Sequence, residues 1–343
     1  MPRSDVRSIA LVPRQPARVL AALLAAVLLL ALFGGIRVQI ADAQATPAPS
    51  PQLPVSVTDS NGDEVTVTDI SRIVPLNGDL AEIVWALGLG ANVVGVDVSA
   101  TYPPDATGPL PKIGYQRSLS AEGVLSLEPT VIIGSPEAGP PEVIEQIMGA
   151  GVPVVIIPEQ RQSIDAPAAK IRAVAEALGV SEDGETLAAT TQTEIDSAIA
   201  LGAGAATQPR VLFLYVRGEG TQMIAGSKTS ADAMITAAGG INAGAEAGLV
   251  GFQPLTPESL AIAAPDTLVL LTAGLESVGG VDELLEIPGI AQTPAGENRH
   301  VLDYDDLYFL GLGPRTGAAL TEFVYGLHPD LAPAATPEAS PAA

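Results

Sequence analysis

Two of the six tyrosines in this 343-residue chain, Tyr115 and Tyr215, each stand two positions before an arginine, Arg117 and Arg217. A phenolate is a hard anionic donor suited to ferric iron, and a neighbouring cation helps by lowering the pKa of the phenol. The chain leaves few other donors. It has no cysteine, so it can form no disulfide, thiolate metal site, cysteine nucleophile or lipidated cysteine. Its two histidines, His300 and His328, cannot build a multi-histidine metal centre and read as structural or solvated. Asp303, Asp305 and Asp306 read as an acidic loop, with no separate metal site expected. No Gly-rich phosphate loop, G-x-S-x-G elbow or paired histidine base is present, so the chain reads as a binder without a catalytic cofactor. A net charge of −23 argues against nucleic acid as a partner.

The elements that must hold these residues follow from the apolar pattern. Hydrophobic residues make up 47% and charged ones 16%, a globular composition with length for two domains. Arg3, Arg7, Arg14 and Arg18 precede an apolar run from Val19 to Phe33 and then paired A-x-A sites at 41–45, which reads as an export signal over residues 1–43, cleaved or retained as an anchor. Only eleven Lys and Arg follow residue 43, so two Tyr-x-Arg pairs among them are informative. Residues 44–54 read as a Pro-rich spacer and 332–343 as a loose tail, neither expected to join a core.

Val55 to Val67 alternates around Asn61-Gly62, predicting a hairpin with a two-residue turn. Short apolar strands then alternate with helices through residues 55–160, including a strand at Val93–Val96, and a similar order returns over 209–331. This predicts an α/β fold of two lobes with mostly parallel sheets, the lobes being structural copies. The best local sign of the copy is Ser120-Ala-Glu122 with Pro129 and Thr256-Pro-Glu258 with Pro265, each a capped short helix stopped by proline nine residues on. Residues 163–203 between the lobes are helical in pattern with a break at Gly179, a stiff connector.

At this point the chain resembles the substrate-binding proteins of ABC importers for iron complexes and cobalamin, in which two Rossmann-like lobes are joined by a long rigid helix. Within that family it is most similar to haem-binding proteins, through Ile113-Gly-Tyr-Gln-Arg117, Ser120-Ala-Glu-Gly123, Leu214-Tyr-Val-Arg-Gly218, Thr229-Ser-Ala-Asp232, Gly274–Val281, Gln292–Gly296 and Leu312-Gly-Pro-Arg-Thr316. The resemblance covers residues 55–331. It implies an exported, monomeric protein that carries haem to a permease dimer with its ATPase. It also implies that Tyr115 is the preferred iron ligand. Tyr215 ends the matching strand across the cleft; relatives that ligate through a tyrosine there place a histidine opposite, near Ser135-Pro136, where this chain has none, so iron held by Tyr115, by Tyr215 or by both stays open. Arg117, Arg217 and Arg315 are candidates for the propionates, and Met223, Phe252 and Tyr308 for packing the porphyrin. Glu122 and Glu258 are the expected permease contacts, one per lobe. A ferric siderophore or cobalamin is the alternative ligand, and a non-transport extracellular sensor the alternative role. The bland role of each tyrosine is a ring at a sheet edge, and of each arginine a surface ion pair.

Overall fold

The computed structural model describes residues 49–160 and 162–333; the expected export signal and the tail from 334 onward lie outside them. The described chain opens with the antiparallel hairpin β1 (Val55–Thr58) and β2 (Glu64–Val67), with Val55 opposite Val67. The turn is a five-residue loop over 59–63 and not the expected two-residue one. The Asp59 carboxylate accepts the backbone N–H groups of Asn61 (2.8 Å) and Asp63 (3.0 Å) and so stabilises the wider loop.

The N-terminal lobe continues through β3 (Ile73–Pro75), α1 (Gly78–Ala86), α2 (Pro104–Thr107), β4 (Gly114–Tyr115), β5 (Ser118–Leu119), α3 (Ala121–Leu125), β6 (Val131–Gly134), α4 (Pro141–Gly149) and β7 (Val154–Ile156). Its central sheet has the order β3-β6-β7, all parallel. Ile73, Val131, Ile133 and Val155 enter one core, while Val74, Ile132, Val154 and Ile156 enter another. Both faces are covered, which is why these strands read as unbroken apolar runs. The expected strand at Val93–Val96 is reduced to single bridges, Val93 with Ile73 and Val96 with Lys112. Residues 49–54 differ from the loose spacer expected: Leu53 packs on the N-lobe core and the Gln52 N–H donates to the Gly179 carbonyl (2.8 Å).

The connector is a pair of helices, α5 (Ala166–Ala177) and α6 (Ser181–Ala203), joined where Gly179 takes a φ of +70°. At 23 residues α6 is about 34 Å long and passes through both lobes, with Ala188 in the N-lobe core and Ile195 and Ala198 in the C-lobe core. A methyl group at Gly184 would stand 2.1 Å from the Ala175 Cβ, so glycine is what lets α5 and α6 approach this closely.

The C-terminal lobe contains β8 (Arg210–Arg217), β9 (Thr221–Ala225), α7 (Ser230–Ala237), β10 (Ile241–Asn242), α8 (Ala243–Glu246), β11 (Phe252–Pro254), α9 (Pro257–Ala263), β12 (Thr267–Leu271), α10 (Thr272–Val278), α11 (Val281–Leu285), α12 (Pro294–Glu297), β13 (Val301–Tyr304), α13 (Asp306–Leu310) and α14 (Thr316–Leu327). Its sheet runs β11-β9-β8-β12-β13, with β10 also on β8. The strands β8, β10, β12 and β13 pair in parallel, whereas β9 and β11 add an antiparallel wing. The lobes are therefore copies in their parallel parts only.

Candidate functional site

The lobes face each other across a cleft of about 480 Å³ whose lining includes Tyr115 and Gln116 from one side and Tyr215, Arg217 and Leu271 from the other. Tyr215, Arg217 and Leu271 lie toward the C-terminal ends of parallel strands, where an open α/β sheet offers a crevice.

Tyr115 is presented by a minimal hairpin. Gly114 takes a φ of +98°, Tyr115 pairs with Ser118, and only Gln116 and Arg117 close the loop. The hairpin is anchored by Gln116, which is buried and whose carbonyl accepts the Gly139 N–H (2.9 Å). The Tyr115 ring is left 43% exposed. Arg117 turns to an ion pair with Glu137, both groups open to solvent.

Tyr215 is held differently. It projects on the same face of β8 as Phe213, opposite Met223 on β9, with the Phe252 ring edge-on at 5.9 Å. Two residues on, Arg217 returns to the same face. Its guanidinium lies 4.7 Å from the centre of the Tyr215 ring, donates to the Val216 carbonyl (2.9 Å) and forms an ion pair with Asp306. Burial, opposed by Arg217, raises the Asp306 pKa above the usual carboxylate value. Met223 and Phe252 thus brace Tyr215 and are not among the residues lining the cleft itself.

Arg315 and Tyr308 lie in a side cavity of about 280 Å³ that shares Thr101 and Asp305 with the cleft. Arg315 forms a two-pronged bond with Glu82 (2.9 and 2.8 Å) and sits over the Tyr102 ring, 3.7 Å from its centre, with the Tyr308 ring centre at 5.0 Å. It therefore joins the lobes. Burial, the nearby negative charge of Glu322 and a hydrogen bond to it push the Tyr308 hydroxyl up to about 12.

Asp79, Ser99 and Gly311 line the cleft and rest on a buried polar network that sequence reasoning missed. Lys170 on α5, 3% exposed, pairs with Asp79 of α1 and donates to the Gly311 carbonyl (3.0 Å), tying connector, first lobe and second lobe at one ammonium. Asp97 is fully buried and accepts from the Ser99 hydroxyl (2.9 and 2.8 Å), whose oxygen accepts the Gly78 N–H at the start of α1 (3.0 Å). Burial, partly offset by those Ser99 bonds and aided by nearby Asp79, raises Asp97 to about 6. A signal existed: Asp79 and Glu82 interrupt an apolar helix, as Lys170 interrupts the apolar run of α5.

His300 bonds Thr267 (2.9 Å) and His328 bonds the Ala238 carbonyl (3.1 Å), both structural contacts. Asp303 accepts from Thr272 and Asp305 caps α13 through the Tyr308 N–H, and no cluster of metal-ligating side chains occurs among the described residues. Glu122 and Glu258 are exposed in the first turns of α3 and α9, capped by Ser120 and Thr256 as expected.

Two α/β lobes bridged by long helices, with a cleft lined from both lobes, define a ligand-binding protein of the helix-linked kind. The periplasmic binding protein family model matches residues 73–308, and this chain belongs to that family. The solved periplasmic haem-binding protein RhuT from Roseiflexus sp. RS-1, in its apo form, is 56% identical, covers 77% of this chain and all of its own, and superposes with a TM-score of 0.75. The uncharacterized ABC transporter substrate-binding lipoprotein YvrC of Bacillus subtilis is 26% identical over 81% of this chain and 87% of its own. A cobalamin-binding protein of Halobacterium salinarum is 29% identical over 63% of this chain and 58% of its own. The family is one of extracytoplasmic binding proteins.

Proposed function

We propose that this chain captures haem in the interlobe cleft through a tyrosinate, with Tyr115 the preferred ligand and Tyr215 the opposing wall, and delivers it to an ABC permease dimer with its ATPase. The observation that carries this reading is that tyrosines from the two lobes line one cleft. In a chain without cysteine, whose two histidines are engaged elsewhere, a phenolate is the donor left for ferric iron. The 56% identity to a haem-binding protein favours haem over a siderophore or corrinoid. Tyr115, exposed beside a two-residue loop, can reach an entering iron with little rearrangement, while Tyr215 sits in a packed wall.

The propionates need cations, and the cleft holds its arginines on carboxylates. Arg217 would exchange Asp306 for a propionate, and the raised pKa of Asp306 makes its carboxylate the easier one to leave unpaired. Arg117 lies outside the cleft lining and would reach a propionate only by leaving Glu137 and swinging inward, and Arg315 stays with Glu82 as part of the frame. Glu122 and Glu258 dock the loaded monomer on the permease, and the basic, apolar N-terminus exports it. The protein acts by binding, not by catalysis.

Haem titration of the purified chain tests this. A Soret band that shifts and weakens in Tyr115→Ala supports it. A band unaltered in Tyr115→Ala and lost in Tyr215→Ala moves the ligand to the other wall. A corrinoid spectrum in place of haem assigns the cobalamin alternative, and no uptake of either chromophore points to a sensor.

A further inference from the structure

Beneath the exposed glutamate of each lobe lies the same piece of engineering. Arg72, the residue before β3, donates from Nε and Nη2 to the Leu127 carbonyl (3.1 and 2.6 Å) and from Nε to the Glu128 carbonyl (2.8 Å). Its own backbone N–H goes to the Thr130 hydroxyl (3.1 Å). Arg210, the first residue of β8, donates from Nε and Nη2 to the Ala263 carbonyl (3.2 and 2.7 Å) and from Nε to the Ala264 carbonyl (3.4 Å). Its backbone N–H goes to the Asp266 carboxylate (2.9 Å). The two sets match position for position, Leu127-Glu128-Pro129-Thr130 against Ala263-Ala264-Pro265-Asp266.

The carbonyls so gripped lie in the turn just after α3 and at the C-terminal end of α9. Helices of five and seven residues are too short to persist on their own, and each is followed by a non-glycine residue at positive φ, Glu128 at 48° three residues past α3 and Ala264 at 38° directly after α9, ahead of a proline. At their other ends Ser120 accepts the Gly123 N–H (3.3 Å) and Thr256 shares a capping box with Ser259. Each helix is therefore fastened at both ends, the far end by an arginine more than fifty residues away in sequence. What the helices expose in return is Glu122 and Glu258.

We propose that Arg72 and Arg210 are a duplicated pair of positioning residues that lock the glutamate-bearing helices to the first parallel strand of their lobes. The span and direction of Glu122 and Glu258 are then set before the partner is met. The partner this fits is a two-fold symmetric permease presenting one cationic patch per subunit, because a pair of carboxylates on matched frames engages two equivalent patches only if its spacing is fixed. Fixing it beforehand removes an ordering cost from association. This rests on the docking role given to the two glutamates above.

The absence of cysteine makes the test clean. Nitroxides on Glu122→Cys and Glu258→Cys in the full chain report the span by electron spin resonance. A narrow distance distribution is expected, broadened by Arg72→Met and Arg210→Met and partly restored by lysine, which can serve one carbonyl. Haem affinity should be unchanged in the same variants. In unlabelled protein, each methionine variant should bind the nanodisc-embedded permease and ATPase that accept haem from the wild-type chain about tenfold more weakly, equivalent to about 1.4 kcal/mol. An unbroadened distribution, or haem affinity falling in step with association, overturns the inference. The Glu122→Ala plus Glu258→Ala double variant separates the two readings. If its association is normal, the docking role fails. If its association is weakened while the arginine variants associate normally, the docking role stands and the positioning inference fails.

Discussion

The two walls of the cleft carry the same three-residue pattern in opposite mechanical settings. Tyr115-x-Arg117 spans a hairpin tip, its ring exposed and its arginine paired outward with Glu137, so little but backbone holds the phenol. Tyr215-x-Arg217 ends an eight-residue strand, where period-two alternation puts both side chains on one face and cross-strand packing against Met223 and Phe252 fixes the ring. The sequence pattern is identical, and the difference comes from strand length. A two-residue strand leaves its tyrosine exposed, and a long one packs it into a wall.

The largest test of this contrast removes the footing that both walls share. Lys170→Met takes the ammonium away from a buried carboxylate, a change that costs about 3–5 kcal/mol in unfolding free energy. Denaturant melts should show that loss, with part of it recovered by adding Asp79→Leu, because an apolar pair avoids the desolvation of a buried carboxylate that has lost its cation. Equal destabilisation in single and double variants would mean that Lys170 serves mainly through Gly311.

Asp97 supports the first lobe's side of the floor through Ser99 and the start of α1. Its folded pKa of about 6 lies above the ordinary 3.8. Between those values the native chain holds a proton that the unfolded chain has released, so stability falls as pH rises through the window, by up to about 1.4 kcal/mol per pH unit. Asp97→Asn should flatten that slope between pH 4 and pH 6 and gain relative to wild type as pH increases. Parallel profiles for the two proteins would place the titration elsewhere.

The contrast predicts asymmetry in the tyrosines themselves. Tyr115→Phe keeps the hairpin and removes the donor, and should weaken haem binding by about a hundredfold, some 2.8 kcal/mol, with the melting temperature unchanged. Tyr215→Ala should lose both stability and affinity, because its ring is part of a packed aromatic group, whereas Tyr215→Phe should keep the stability. The reverse pattern would make the strand tyrosine the ligand and the hairpin tyrosine a bystander.

How much of this was legible in the chain varies with the range of the interaction. The short helices at Ser120 and Thr256 were readable because cap and proline lie within nine residues. The parallel strands were readable because both their faces are buried. The wing of β9 and β11 was not, since Thr221–Ala225 and Phe252–Pro254 are short, and three of the five residues of β9 and all three of β11 are partly or fully exposed. The two tyrosines could be singled out by type and spacing, but the partners of their arginines could not, because Glu137 and Asp306 are 20 and 89 residues distant. The pin at Lys170 and the grip of Arg72 and Arg210 depend on contacts between distant elements that leave no local pattern.

The smallest expected effect probes the arginines. Both are ion-paired, and both pairs are at least one-third open on one side, so neither pair should matter much to stability: loss of an exposed pair costs about 1 kcal/mol or less. They should differ in haem binding. Arg217 sits over the Tyr215 ring and lines the cleft, whereas Arg117 does not line it. Arg217→Met should therefore lower haem affinity by about tenfold through loss of a propionate contact, while Arg117→Met should change it by less than about threefold. Arg217→Lys, which retains the charge without the planar fork, should recover only part of the loss. If the two methionine variants lose affinity equally, the hairpin arginine swings inward on binding, and the first wall is as complete as the second once haem is present.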